Sequence, residues 1–276
     1  MRFGFSPCPN DTFAFWAAVH GIVDGPPLVP EMADIEALNA RAVRGVDPLP
    51  VSKLSLPALA RCVDRYAVLP SGAALGFGCG PLVVARPGRS LADLPAMKLA
   101  IPGAHTTAFL LASSLLPRPA EVVAMRFDRI MAAVVGGACD AGLVIHESRF
   151  TYEQHGLVQL CDLGVLWERQ TGGPLPLGVI AARRDLDAAT FAGIGAMLRD
   201  SVRLARAEPE RPRAWIREHA QELAEEVQAQ HIELYVNDFS EELGDDGRRA
   251  VDELLRRGRG CGLLPAGRSP WHEEAP

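Results

Sequence analysis

A chain of 276 residues with 48% hydrophobic and 22% charged residues can bury a sizeable core, as one large domain or as two smaller ones sharing a cleft. Its formal net charge of −6 excludes the basic face that neutralising nucleic-acid phosphates would need, and no apolar run reaches the roughly 18 to 20 residues of a membrane span. The six cysteines are scattered, without a C-x-x-C pair to clip zinc or run redox chemistry, so they read as small core residues.

In chain order, a strand at 3–5 opens the sequence at once, without the charged region and apolar helix of a secretory signal, and a cytoplasmic protein is expected. A polar turn, Ser6-Pro7-Cys8-Pro9-Asn10-Asp11-Thr12, then starts a helix over 11–20. The alternation continues with a strand at 49–51, Ser52-Lys53-Leu54-Ser55, and a helix over 55–63. Only Lys53 and Lys98 among the 28 basic residues are lysine, so Lys53 carries more information than any single arginine. Strands at 82–85, 99–101, 122–125 and 141–145 follow, with helices over 107–116 and 128–136. Their near-continuous apolar character predicts buried parallel strands and an α/β architecture. A further strand at 179–182 precedes a helical C-terminal third, with helices over 188–207, 210–219, 222–236 and 241–257.

Two segments rich in glycine and proline, 72–81 and 171–178, read as crossovers. They divide the chain into one lobe of residues 1–80 and 178–276 and another of residues 81–177, with a ligand cleft between. The glycines of 72–80 run into Pro81 and a strand, not into a helix, which rules out a dinucleotide fingerprint.

The candidate chemistry gathers at strand ends. The run Asp140-Ala141-Gly142-Leu143-Val144-Ile145-His146-Glu147-Ser148 delivers His146 at the carboxyl end of a strand, where open α/β sheets bind ligands, and histidine titrates nearest neutral pH. His146 is the candidate general base. Glu147 is not part of H-E-x-x-H, because Phe150 stands where the second histidine would, and no metal site is predicted. Three polar helix starts, at Ser6 to Thr12, at Ser52 to Ser55 and at Gly103-Ala104-His105-Thr106-Thr107, offer N–H groups and hydroxyls to an anion such as a carboxylate. Ser6, Asn10 and Asp11 are candidate cleft residues. Cys8, between two prolines at a helix start, is a conceivable reactive thiol but reads more simply as a small structural residue. His105 is the weaker candidate base.

Ser6-Pro7-Cys8-Pro9-Asn10-Asp11-Thr12-Phe13, Lys53-Leu54-Ser55, Gly80-Pro81-Leu82-Val83-Val84-Ala85-Arg86, His105-Thr106-Thr107 and above all His146-Glu147-Ser148-Arg149-Phe150-Thr151-Tyr152 resemble the 1,4-dihydroxy-6-naphthoate synthase family of the futalosine route to menaquinone. The resemblance runs over nearly the whole chain up to about Cys261. It implies a two-lobed fold similar to the type II periplasmic binding proteins. It also implies a carbon–carbon lyase that cleaves cyclic dehypoxanthine futalosine to 1,4-dihydroxy-6-naphthoate and dihydroxyacetone, without a metal or other cofactor. His146 would be the proton acceptor, and Lys53, Leu54, Ser55, Thr106 and Thr107 would bind substrate. The implied partner is a small anionic molecule, with no nucleic acid and no membrane; a homodimer is left open. Two alternatives stand beside this reading: a non-catalytic carboxylate-binding protein of the same fold, and a chorismate dehydratase of the same pathway.

Overall fold

In chain order the strands of the computed structural model, which describes residues 1–220 and 224–272, are β1 (Arg2–Phe5), β2 (Val29–Met32), β3 (Val51–Ser55), β4 (Tyr66–Val68), β5 (Ala74–Gly76), β6 (Leu82–Ala85), β7 (Lys98–Ile101), β8 (Glu121–Ala124), β9 (Ala141–Val144), β10 (Val158–Asp162) and β11 (Leu175–Arg183). The helices are α1 (Pro9–Val19), α2 (Ile35–Arg44), α3 (Leu56–Cys62), α4 (Thr107–Leu115), α5 (Ile130–Val135), α6 (Ser148–Thr151), α7 (Leu163–Thr171), α8 (Ala188–Ala207), α9 (Arg213–His219), α10 (Glu225–Tyr235), α11 (Asp238–Glu241) and α12 (Gly244–Gly260). The helix expected over 222–236 begins partly outside the described residues and is seen from Glu225. None of the described helices is long and apolar enough to cross a membrane.

Two sheets form, ordered β2-β1-β3-β11-β4, with β5 also on β11, and β10-β6-β9-β7-β8. Within the first, β1 pairs in parallel with β2 and β3, while β11 runs antiparallel to β3, β4 and β5. Within the second, β7 is parallel to β8 and β9, but β6 is antiparallel to β9 and β10. The expectation of a parallel strand at 82–85 is therefore corrected. An unbroken apolar run reports that both faces of a strand are covered; it carries no information about direction.

The crossovers are likewise strands more than loops. Leu175, Pro176 and Gly178 of β11 pair with Gly76, Leu75 and Ala74 of β5, so the two passages between the sheets are hydrogen-bonded to each other. β11 then continues beside β3 and β4. Gly80, where the chain enters the second sheet, is required by close approach, since a Cβ there would lie 2.1 Å from the backbone nitrogen of Gly164.

Period-two alternation assigns the faces of β6. Val83 and Ala85 enter a core shared with Leu54, Leu56 and Val179 of the first sheet, whereas Leu82 and Val84 pack on Ile130 and Val134 of α5. On the first sheet, Phe3, Phe5 and Phe15 form an aromatic cluster with centroids 4.9 to 5.4 Å apart. α8 covers α1 closely enough for Ser201 Oγ to donate to Ala14 O at 2.7 Å and accept from Ala18 N at 3.1 Å. The C-terminal helices are thus built into the core, and one of them, α10, reaches the cleft.

Candidate active site

A cavity with about 600 Å³ of unfilled space, mouth included, opens where the two sheets and the paired crossovers meet. Lys53 and Ser55 line it from β3, Thr107 from α4, His146 from the end of β9, and His231 from α10.

His146 stands two residues beyond the end of β9 and has φ 56°, a left-handed conformation costly for a residue with a Cβ. Such an outlier at a cleft is stored strain that surrounding contacts must hold in place. The ring packs edge-on against Phe127 with centroids 4.8 Å apart, and Nδ1 lies 3.5 Å from Cys8 Sγ. Burial and the positive charge of Lys53 push its pKa down from 6.5 to about 4, with Asp11 opposing, so the imidazole is neutral at physiological pH. Burial, with Glu147 and Asp11 nearby, drives the Cys8 thiol up well above its usual range, so Cys8 is a protonated neighbour of the histidine and not a ready nucleophile.

Beneath the cavity floor, Asp11 accepts from Ser6 N at 3.0 Å, Ser6 Oγ at 2.6 Å and Asn10 Nδ2 at 2.8 Å, and it pairs with the Lys53 ammonium. The carboxylate that fills the start of α1 is thus the chain's own. Asn10 faces the cavity, and its Oδ1 is buried without a partner among the described residues. Ser6 and Asp11 lie behind it.

The strand expected at 49–51 instead spans Val51–Ser55, and this shift decides which of Lys53, Leu54 and Ser55 reach the cavity. Lys53 and Ser55 share one face of β3; Leu54 points the other way and buries its side chain in the common core. Ser55 is held by α2, a helix not anticipated from sequence: Asn39 donates to Ser55 Oγ at 3.0 Å and accepts from Ser55 N at 2.9 Å. The serine hydroxyl hydrogen is then free to turn toward a ligand. The signals for α2 were present, in the Asp34 cap that accepts from Glu36 N and in Gly45 at φ 68°.

Thr106 spends its hydroxyl capping α4, accepting from Phe109 N at 3.2 Å and donating to Gly103 O at 2.8 Å. Thr107 Oγ1 donates to Leu177 O at 2.6 Å and accepts from Leu56 N at 3.3 Å, tying the second crossover to α3. What this corner presents to the cavity is the first turn of a nine-residue helix, whose N–H groups at Thr107 and Ala108 have no intrahelical acceptor. His105 is not part of the lining; its N–H is bonded to the Glu36 carboxylate, and burial and Arg61 lower its pKa.

Sequence reasoning missed His231 and Tyr235, which α10 brings to the cavity from far along the chain. The nearest approach to a cation site among the described residues is Cys8 Sγ, His146 Nδ1 and a Glu147 carboxylate oxygen, within 4.8 Å of one another. That donor set suits a soft cation only after the buried thiol gives up its proton.

Both cavity histidines have pKa values depressed by burial, and the consequence for stability has a definite sign. On acidification the unfolded chain takes up protons first, so stability falls as pH drops through the window from 6.5 to about 4 for His146. Thermal unfolding followed across that window should show a declining midpoint for the wild type and a shallower decline for His231→Phe.

Two sheets joined by paired crossing strands, with a cavity at their seam, define a two-lobed protein of the periplasmic-binding-protein type. Solved structures agree on the fold. A protein of Archaeoglobus fulgidus superposes with a TM-score of 0.89 at 34% identity, covering 95% of this chain and 98% of that one. The periplasmic aliphatic sulphonate binding protein of Escherichia coli does so at 0.63 and 15% identity, covering 96% and 88%. The family described as menaquinone biosynthesis matches residues 1–260, and the chain belongs to it. Curated relatives named 1,4-dihydroxy-6-naphtoate synthase are 50% identical in Thermus thermophilus, over 95% of both chains, and 47% identical in Streptomyces coelicolor, over 96% of this chain and 95% of that one.

Proposed function

We propose that this chain is a cytoplasmic lyase that cleaves cyclic dehypoxanthine futalosine to 1,4-dihydroxy-6-naphthoate and dihydroxyacetone, with His146 as the general base and no metal or redox cofactor. The observation that carries the reading is His146 itself: strained at φ 56°, neutral, and lining the cavity at the seam of the two sheets. The curated relatives are named for the same product, 1,4-dihydroxy-6-naphthoate, which supports the reading.

In the tautomer a base requires, the proton sits on Nδ1 and donates toward Cys8 Sγ, leaving the Nε2 lone pair for the substrate. Low proton affinity in the empty cavity keeps the ring uncharged, and an anionic substrate then raises that affinity as it binds. The substrate carboxylate is assigned to the start of α4 and the Ser55 hydroxyl; Lys53, already paired with Asp11, contributes a more local field. Residues 1–80 with 178–276 are taken as one lobe and 81–177 as the other, closing over the ligand and excluding water.

The direct experiment incubates purified protein with cyclic dehypoxanthine futalosine and follows the naphthoate by chromatography and mass, with chorismate as a parallel substrate. Naphthoate formation supports the reading. Tight substrate binding without turnover would turn it into a carboxylate-binding protein, and consumption of chorismate into a dehydratase. Ser55→Ala should raise KM about tenfold or less with kcat little changed, as expected for a lost ligand hydrogen bond; an unchanged KM would remove Ser55 from the carboxylate site.

A further inference from the structure

His231 is 1% exposed, lines the same cavity as His146, and keeps its Nδ1 buried without a partner among the described residues. Its ring stands 6.0 Å from that of His146, edge-on at 76°, and is wedged against Tyr235 at 4.7 Å and Phe150 at 6.3 Å. Those aromatic contacts would suit a phenylalanine equally well. An imidazole in this niche leaves a polar nitrogen unsatisfied, a cost a folded protein ordinarily avoids or uses. The two rings are close enough to address neighbouring atoms of one bound molecule.

On the lyase reading proposed above, we infer that His231 is a second catalytic residue: a hydrogen-bond donor to the substrate oxygen that becomes negative when His146 removes its proton. Burial, with His146 and Lys53 nearby, holds the His231 ring uncharged, so it has one N–H to offer. The proton taken from the substrate oxygen goes to His146; the electron pair left on that oxygen forms its carbon–oxygen double bond as the carbon–carbon bond breaks, the pair from that bond passes to the departing carbon, which takes a proton back from His146, and the His231 proton stays on His231 throughout. A neutral imidazole is suited to this part, because it steadies developing charge without having to give up its proton. Its placement on α10 gives the C-terminal helices a direct share in the chemistry.

The test compares His231→Phe and His231→Gln in the full chain. With cyclic dehypoxanthine futalosine as substrate, the phenylalanine variant should lose about 100- to 1,000-fold in kcat with KM changed by less than about threefold. The glutamine variant, which keeps a donor, should recover at least about tenfold of that loss. A phenylalanine variant as active as wild type, or a glutamine variant no better than phenylalanine, overturns the inference while wild-type turnover still upholds the lyase reading. Absence of wild-type turnover overturns both. Should the phenylalanine variant fail to fold, His231→Leu against His231→Gln carries the same comparison.

Discussion

Replacing His146 by alanine is expected to lower kcat by about 100-fold or more, the usual contribution of a positioned base, without unfolding the protein. The ring is the neutral group best placed to accept a proton: it lies at the mouth of β9, faces the cavity, and is oriented by Cys8 at 3.5 Å and by the Phe127 ring. Its backbone, at φ 56°, is held in a conformation that favours glycine. His146→Gly should therefore lose activity as alanine does while relieving the strain, about 1–2 kcal/mol, less whatever the lost ring contacts contributed. Steady-state turnover with thermal unfolding on the same samples checks both statements. Near-normal turnover in a folded alanine variant would remove His146 from the mechanism.

Lys53→Met is expected to be the most destabilising single change in the cleft, by about 3–5 kcal/mol, because it strands a buried carboxylate. Asp11 and Lys53 have side chains only 2% and 7% exposed, and without the ammonium Asp11 retains only the neutral donors of Ser6 and Asn10. The double variant Lys53→Met with Asp11→Asn should recover most of that loss, since removing both charges also removes the cost of burying them. An exposed pair such as Arg249 with Asp246, 72% and 69% exposed, should contribute about 1 kcal/mol or less when either member is replaced. Urea unfolding of the two single variants and the double closes the cycle. A Lys53→Met loss near the surface value would mean that solvent reaches the pair.

These two residues also show what local sequence can and cannot reveal. His146 was legible because an apolar strand ending in a histidine before a polar helix start is a local pattern, complete within a dozen residues. Lys53 stood out through composition alone, one of two lysines among 28 basic residues, but nothing near it in sequence names Asp11 as its partner. Leu54 stands with its neighbours only through the family resemblance; in β3, which runs to Ser55, period-two alternation turns its side chain into the core. Asn39 and His231 were passed over because each is an ordinary helix residue until a distant element is placed against it: β3 for the first, the cavity for the second.

By itself the sequence determined the α/β character, most strands and helices, the two passages between sheets, and a histidine at a strand's carboxyl end. All of these are encoded in hydrophobic period, helix caps and turn residues, which act over a few residues. Only the tertiary structure decided that β6 and β11 run antiparallel, that β5 and β11 pair with each other, that the start of α1 is filled by Asp11, and that α10 places a second histidine in the cavity. Strand direction and the satisfaction of buried polar groups depend on partners brought from tens to more than a hundred residues away, and the free energy that selects those partners is released only when the core closes around them.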